Sequence, residues 1–569
     1  MTDVTDTGDE VERQIAPGGR EGRGNLGRWT LVMASGTLVS RILGFVRTML
    51  LVAALGVNAA GANAYDVANK IPNAMFALLA AGVLNSALVP QIVKAFGKAD
   101  GKRIVDRIVT IGSVISAGAA AVLTIAAPIM VQVYSQDWSP ELLALATGLA
   151  YWIIPQLFFY GLYTLLGQVL NAREQFGPFM WAPVLNNVIG IAGLVAYIAI
   201  YGKYVTGSEF VPSDWTPERI ALLGGVATLG IAAQALILVI PLVRGGYRWK
   251  WRWSGPRGEL ATLRRIVSWA LAAVVVEQIG VALTTQVASA ANPDGEAIGI
   301  AGNAAYTSAL TVYLVPHSLV TVSILTALFT TMSRFYANGD IDGLRSEISR
   351  GARLIGVFTV YATAMMLVIG PLVVRALLPT ASNPEARSVT EVVWVLSLGL
   401  VPLGLSVLVK RVLFVMEDAR SVFLIHIPMT VAWLAVAYGV QALADPRWWA
   451  AGVAAGLVVS NVVAVLVRGV TLHRRLGGID AGRTAILHLK ALVGAIPAAA
   501  AGAGLMVLGP EPEWFTSLGG ALTSVSSLGY GGLVAAAMAL VYGTVLRLLR
   551  VEELEQVLRP ILRRVRRVR

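Results

Sequence analysis

The chain has 569 residues, of which 56% are hydrophobic and 14% are charged, with 45 Lys and Arg against 33 Asp and Glu. Ordinary soluble proteins carry about a quarter charged residues, so this composition, with a mean hydropathy of +0.69, excludes that class. The absence of cysteine excludes disulfide frameworks, thiolate metal sites and cysteine nucleophiles.

Long apolar segments follow one another along the chain, and each is near the ~20 residues that a membrane-crossing helix needs. We predict fourteen such spans. In chain order they cover residues 30–55, 64–93, 108–134, 143–171, 179–201, 218–243, 263–290, 299–331, 352–378, 389–415, 421–443, 448–471, 486–508 and 520–547. The sequence therefore predicts an all-α polytopic membrane protein.

The first span is preceded by a polar, glycine-rich stretch, residues 1–28, without an apolar run beside a small-residue cleavage site. This pattern is typical of a disordered tail rather than a signal peptide. Basic residues concentrate in alternate connections, among them 246–262. By the positive-inside rule, both termini are expected in the cytoplasm. The basic segment 551–569 then lies beside the bilayer, where anionic lipid explains it better than nucleic acid.

Two pairs of segments resemble each other across the chain. Residues 82–100 align with 322–340, and 171–183 with 415–428, six predicted spans apart in each pair. An even separation keeps both copies in one orientation, as in the parallel repeats of two-lobed transporters. We predict two lobes related by a parallel pseudo-two-fold axis. The expected organisation is a cytoplasmic tail (1–28), a six-helix lobe (29–245), a basic loop (246–262), a second six-helix lobe (263–475), two additional helices (476–550) and a basic cytoplasmic tail (551–569).

Charged side chains occur inside the first two spans, although an ionised group at the bilayer centre costs at least about 2.5 kcal/mol. The first span contains two arginines, and four polar residues of the second share one helix face within about 80°. These residues are Arg41 and Arg47, then Asn63, Asp66, Lys70 and Asn73. The polar stripe either fastens the second span to the first or lines a cavity. Only the cavity explains the arginines.

A positive cavity suits an anionic ligand, because guanidinium groups pair bidentately with phosphate oxygens and stay charged. Arg41 and Arg47 are about 120° apart on a straight helix, so their convergence needs long side chains or a bend at Gly44. Glu277 in the seventh span is a further cavity candidate, either as a partner of Arg41 or Lys70 or as a coupling-ion site. The sequence shows no P-loop, HExxH motif or acidic metal cluster, so primary ATP-driven transport is unsupported. We predict no metal or cofactor, and no catalytic residue, because transport makes no bond.

Three segments resemble the MurJ (MviN) family of lipid II flippases, within the multidrug/oligosaccharidyl-lipid/polysaccharide (MOP) exporter superfamily. SRILGFVR at 40–47 is similar to the family's first-helix motif, and KIPN at 70–73 to its second-helix motif. LNAREQFGPFMWAPVLNN at 170–187 is similar to the link between its fourth and fifth helices. The resemblance implies two six-helix lobes around a cavity of alternating access, and two C-terminal helices that form a groove for a lipid tail.

The resemblance also implies the function. A member of this family moves undecaprenyl-pyrophosphate-linked disaccharide pentapeptide, lipid II, to the outer leaflet of the bacterial cytoplasmic membrane, without covalent chemistry. By position, Arg41 and Arg47 match arginines that engage the pyrophosphate, and Lys70 and Asn73 match the second-helix motif. The expected partners are lipid II, the bilayer and cell-wall synthesis proteins. Coupling to the membrane potential or to a monovalent cation stays open.

Several charges that are usual in the family are absent here. Asn63 stands for Asp, Phe76 for Arg, Ala81 for Glu, Thr311 for Arg and Leu314 for Glu, and Asp66 is added where an aromatic residue is usual. These departures bear on headgroup contacts and coupling rather than on the fold. Two other functions stay open: export of another lipid-linked glycan or a drug, and a non-transporting scaffold of a cell-wall complex.

Overall fold

Our computed structural model describes residues 21–80, 92, 100–173, 175–253, 260–295 and 297–555, with the backbone alone for 21–34, 260–267 and 270. The described elements are helices, and the described part of the chain contains no strand. The N-terminal lobe consists of α1 (Glu21–Leu55), α2 (Ala60–Leu79), α3 (Gly101–Ile125), α4 (Ala127–Tyr134), α5 (Pro140–Ile153), α6 (Gln156–Ala172), α7 (Phe176–Tyr201), α8 (Pro217–Leu236) and α9 (Val239–Arg244).

The second lobe and the two additional helices follow in order. They are α10 (Leu260–Ala290), α11 (Asn303–Pro316), a π-turn (His317–Thr321), α12 (Val322–Ala337), α13 (Ile341–Leu377), α14 (Asn383–Ser397), α15 (Leu400–Val415), α16 (Ala419–Leu443), α17 (Trp449–Leu476), α18 (Ala481–Leu508) and α19 (Gly520–Leu548). Short 3-10 turns occupy Pro212–Asp214, Pro446–Trp448 and Trp514–Leu518.

The helices confirm the polytopic all-α class. Among the described residues, twelve helical segments are long and apolar enough to cross a membrane, or thirteen if α14 and α15, bent by 49°, count as one span. The predicted span 64–93 is not among them, because α2 covers only its beginning and most of 81–99 lies outside the described residues. The count of fourteen therefore stays a prediction. Helix α1 begins at Glu21, inside the segment predicted as a tail.

The two lobes repeat one packing scheme. In the first lobe α1 packs on α7, α7 on α8, α3 on α6 and α2 on α5. In the second, α10 packs on α16, α16 on α17, α13 on α15 and α11 on α14, which are the equivalent pairs. Both fourth spans are also broken, near Pro155 and Pro402, where the ring removes a backbone donor and clashes with the preceding turn. This agreement supports the predicted repeat, while the domain boundaries stay predictions.

Helices α18 and α19 attach to the second lobe through α13. Tyr542 donates to the carbonyl of Val357 at 2.8 Å, and Tyr361 donates to that of Ala535 at 2.7 Å. At the end where α13 begins, Arg353 is buried and forms an ion pair with the buried Glu553, which follows α19. The segment after α19 is therefore part of the folded structure as far as Glu553.

Candidate functional site at the lobe boundary

Polar contacts join the two lobes at the end of the bundle where α1 finishes. Asn58, between α1 and α2, donates to the carbonyl of Ile298 at 2.7 Å and to Ser388 Oγ at 3.1 Å. Asn292 donates back to the carbonyl of Asn58 at 3.2 Å, and Trp138 Nε1 donates to that of Ser289 at 3.2 Å. We call these contacts the seam. The positive-inside rule predicts that it lies on the outer side of the membrane.

Next to the seam, α2 of one lobe contacts α11 of the other through polar side chains. The fully buried Asn63 accepts a hydrogen bond from the Ala304 amide at 3.0 Å. One turn further, Asp66 Oδ2 lies 2.9 Å from Lys70 Nζ and accepts a hydrogen bond from Thr307 Oγ1 at 3.1 Å. Asn303 bridges the pair, since it donates to Asp66 Oδ2 and accepts from Lys70 Nζ. Asp66 and Lys70, four residues apart on α2, thus form an ion pair, as side chains at that spacing are neighbours on one helix face.

We call Asp66, Lys70, Asn303 and Thr307 the Asp66 cluster, and it marks the apex of a cleft. Asn63 and Asn303, on its seam side, have 0% exposure. On the other side, Asn73 of α2 and Thr311 of α11 are exposed. Both continue the helix faces that meet in the cluster. Within the described residues, the faces of α2 and α11 are therefore packed together on the seam side and exposed beyond the cluster. We call the space between the exposed faces the cleft, and it opens toward the end where α1 begins.

Arg41 lies on the side of α1 that faces the second lobe. It is about 20° around the helix from Val52 at 100° per residue, and Val52 packs in a core cluster with Val374 and Leu378 of that lobe. Its side chain is exposed and has no hydrogen bond or ion pair within the described part of the chain. At 1.5 Å per residue Arg41 lies about 21 Å from the end of α1, and Lys70 about 15 Å from the start of α2. Arg41 therefore lies about 6 Å, roughly one helical turn, nearer the open end of the cleft than Lys70.

Arg47 points into the first lobe instead. Its Nη1 donates to Asn186 Oδ1 at 3.4 Å, and its Nε lies beside Gly190, where an added Cβ would be 2.8 Å away. The cavity left beside Arg47, also lined by Tyr65, is about 10 Å³, room for at most about one water. The two arginines therefore do not converge in this conformation, and a substrate contact by Arg47 stays a prediction.

Glu277 belongs to a cluster inside the second lobe. Its side chain is half-exposed and lies 4.0 Å from His426 Nε2, within electrostatic reach of Lys410 and Arg468. A partnership with Arg41 or Lys70 was therefore the wrong expectation, because α10 turns this carboxylate toward α16. The sequence reasoning overlooked the buried Arg468, which donates to Ser406 Oγ at 2.8 Å. The sequence feature that could have marked Arg468 is its position directly after the apolar run VVSNVVAVLV at 458–467.

Known proteins are similar to this chain over most of its length. The family model described as "Lipid II flippase MurJ" matches residues 51–518. A probable lipid II flippase MurJ of Rhizobium meliloti (strain 1021) is 26% identical over 528 residues, which cover 89% of this chain and 91% of that protein. Neither the family model nor this relative favours a drug exporter or a scaffold.

Solved structures share the fold. A lipid II flippase MurJ in an inward closed conformation aligns with a TM-score of 0.67 and 15% identity, over 92% of this chain and all of that one. An inward-facing multidrug resistance MATE family transporter of the MOP superfamily aligns with a TM-score of 0.62 and 15% identity, over 79% of this chain and 98% of its own. At such identity the likeness concerns the fold alone.

Proposed function

The chain belongs to the MurJ family of lipid II flippases, and from that premise we propose that it moves lipid II from the inner to the outer leaflet of the cytoplasmic membrane. The observation that carries the proposal is the family match over residues 51–518. The chain is a multi-span membrane protein, and we infer that both termini face the cytoplasm. No bond is made or broken in such transport, so its residues bind and release rather than react.

We propose that the pyrophosphate enters the cleft and is held by Arg41 and Lys70, with Asn73 orienting them. Arg41 supplies a guanidinium that stays charged and offers a planar set of donors, and Lys70 supplies a compact charge about one helical turn deeper in the cleft. The Lys70 side chain is largely buried, where charge attraction is stronger than in bulk solvent, whereas Arg41 is exposed. In the conformation described, Arg47 lies on the side of α1 that packs on α7, where it donates a hydrogen bond to Asn186.

Transport by alternating access requires the cleft to close and the seam to open. The present conformation has polar bonds at the seam, such as Asn58 to Ser388, and an exposed cleft at the opposite end. This arrangement suits loading from the side where α1 begins. The lipid tail would stay in the membrane beside α18 and α19.

We propose the membrane potential as the driving force, because an anion that moves outward gains about 2.3 kcal/mol per charge per 100 mV in an inside-negative field. Proteoliposomes with a potassium gradient and valinomycin test this directly. Transport that proceeds at the same rate after the potential is collapsed would remove this part of the proposal and leave a monovalent cation as the alternative. Association with cell-wall synthesis proteins also stays a prediction.

Depletion of a bacterium's own flippase tests the function. Expression of this chain should restore growth and clear the lipid II that accumulates in the inner leaflet, whereas Arg41→Ala should not. Arg103→Ala is the matched control, because Arg103 is an exposed arginine at the start of α3 paired with Asp100. Failure of the unaltered chain to rescue, despite normal membrane levels, would contradict the function. Rescue by Arg41→Ala would contradict only the headgroup contact.

A further inference from the structure

One carboxylate oxygen in the Asp66 cluster has three donors around it. Asp66 Oδ2 faces the ammonium of Lys70 at 2.9 Å, the hydroxyl of Thr307 at 3.1 Å and the side-chain amide of Asn303. Lys70 comes from the first lobe, and Thr307 and Asn303 come from the second. An ammonium, an amide and a hydroxyl that converge on one point form a seat for an anionic oxygen.

We propose that Asp66 is an internal counter-ion in this seat and that a pyrophosphate oxygen of the incoming substrate displaces it. This inference rests on the proposed function and adds Asn303 and Thr307 to the residues that contact the anion. The seat lies at the apex of the cleft, next to the exposed Asn73. A ligand that enters from the open end therefore reaches the seat after it passes the depth of Arg41.

Displacement of Asp66 has a mechanical consequence. Asp66 is covalently part of α2, so while it occupies the seat it ties α2 to Asn303 and Thr307 at the start of α11. A mobile anion bound by the same donors has no covalent tie to α2, so only the hydrogen bond from Lys70 to Asn303 then links α2 to α11 within the cluster. Substrate binding thus removes a fixed link beside the seam and favours opening on that side, which couples the two ends of the cleft.

The absence of cysteine allows a direct test. Ala301 lies beside the seam with 3% exposure, so Ala301→Cys provides one thiol whose labelling rate reports opening of the seam. In lipid nanodiscs, undecaprenyl pyrophosphate should accelerate labelling about fivefold or more, and undecaprenol should not. Added Asp66→Asn should raise the rate without lipid by a similar factor and abolish the response to pyrophosphate. Asp342→Asn, an exposed aspartate paired with Arg345, should behave like the parent.

Thr307→Val is a second variant, because it removes one donor and keeps the size of the side chain. It should weaken the response to pyrophosphate while the thermal stability stays near that of the parent. The inference is overturned if Asp66→Asn labels at the parent's rate, or if the parent flips lipid II but its labelling ignores pyrophosphate. A parent that never flips lipid II would instead contradict the proposed function, so the two failures are distinguishable.

Discussion

Arg41 and Arg47 lie on the same helix, yet they face different parts of the molecule. Arg41 is exposed on the side of α1 that meets the second lobe, whereas Arg47 packs against Gly190 and bonds Asn186 inside the first. Similar residues in one motif therefore have different physical surroundings.

Alanine substitutions should separate the two arginines. Arg41→Ala should reduce lipid II transport in proteoliposomes at least tenfold and change the free energy of unfolding by less than about 0.5 kcal/mol, because the side chain is exposed. Arg47→Ala should destabilise the protein by about 1–3 kcal/mol, since it opens a space beside Gly190. Transport rates and thermal unfolding in detergent measure both effects. Equal losses of stability in the two variants would contradict this assignment.

A glycine should be required at position 190 for stability, because a larger residue would collide with Arg47. A Cβ there would lie 2.8 Å from Arg47 Nε and 3.0 Å from its Cδ, so Gly190→Ala should cost about 1–3 kcal/mol of stability. Gly44→Ala is the matched control on the facing helix, because its Cβ would meet only Asn187 Nδ2 at 3.8 Å. If Gly44→Ala is the more harmful change in a thermal unfolding series, the packing of α1 on α7 is not as described.

The C-terminal segment should contribute to stability through Glu553. Removal of 551–569 deletes the carboxylate that pairs with buried Arg353 and leaves Asp480 at 3.6 Å as its remaining ion-pair partner, which should cost about 2 kcal/mol. Removal of 556–569 keeps Glu553 and its ion pair with Arg353, so this variant should melt higher than the longer truncation. Glu553→Gln in the full chain separates charge from packing and should reproduce much of the longer truncation's loss. Equal melting temperatures for the two truncations would refute this role.

A disulfide across the seam should stop transport reversibly. Asn58 Nδ2 and Ser388 Oγ are 3.1 Å apart, and no native cysteine competes. Oxidation of the double variant Asn58→Cys, Ser388→Cys should abolish lipid II flipping. Reduction should restore the rate that the same variant had before oxidation. Each single cysteine variant serves as a control. Full activity of the oxidised pair would show that the seam need not open.

Acid should weaken the link between α15 and α16. Burial alone would raise the pKa of Asp418, but hydrogen bonds from Ser421 and the Arg475 guanidinium hold its pKa below the usual 3.8. A lowered carboxyl pKa stabilises the fold above the usual value, and this contribution disappears as the pH falls through the pKa of the folded state. Asp418→Asn should thus melt lower than the parent near pH 7, with a gap that narrows in acid. A gap that widens below the usual pKa would refute this.

The spans were predictable because a bilayer requires every helix that crosses it to contain about 20 mostly apolar residues. Apolar length and loop charge placed α7, α16, α18 and α19 within a few residues of their observed bounds. The breaks at Pro155 and Pro402 could be read as kinks but not as separate helices, since the angle depends on what packs beside them.

The candidate site was harder to predict. The spacing of Asp66 and Lys70 indicated their pairing, because side chains four apart are neighbours on one helix. Nothing in the sequence around Asn303 marked it as their bridge, and the direction of Arg47 depends on the small residue at position 190 of another helix. Contacts across the lobes arise from tertiary packing, which a single sequence does not encode locally.

Helices α18 and α19 are fastened to α13, whereas Arg41 sits on α1. If the polyprenyl chain rests on α18 and α19, it moves with the second lobe, whereas Arg41 and Lys70, two of the proposed phosphate contacts, move with the first. Each transport cycle then changes the distance between the site that contacts the lipid tail and the site that contacts the phosphates of the same molecule. A long flexible hydrocarbon absorbs that change, whereas a short or stiff one would resist the motion.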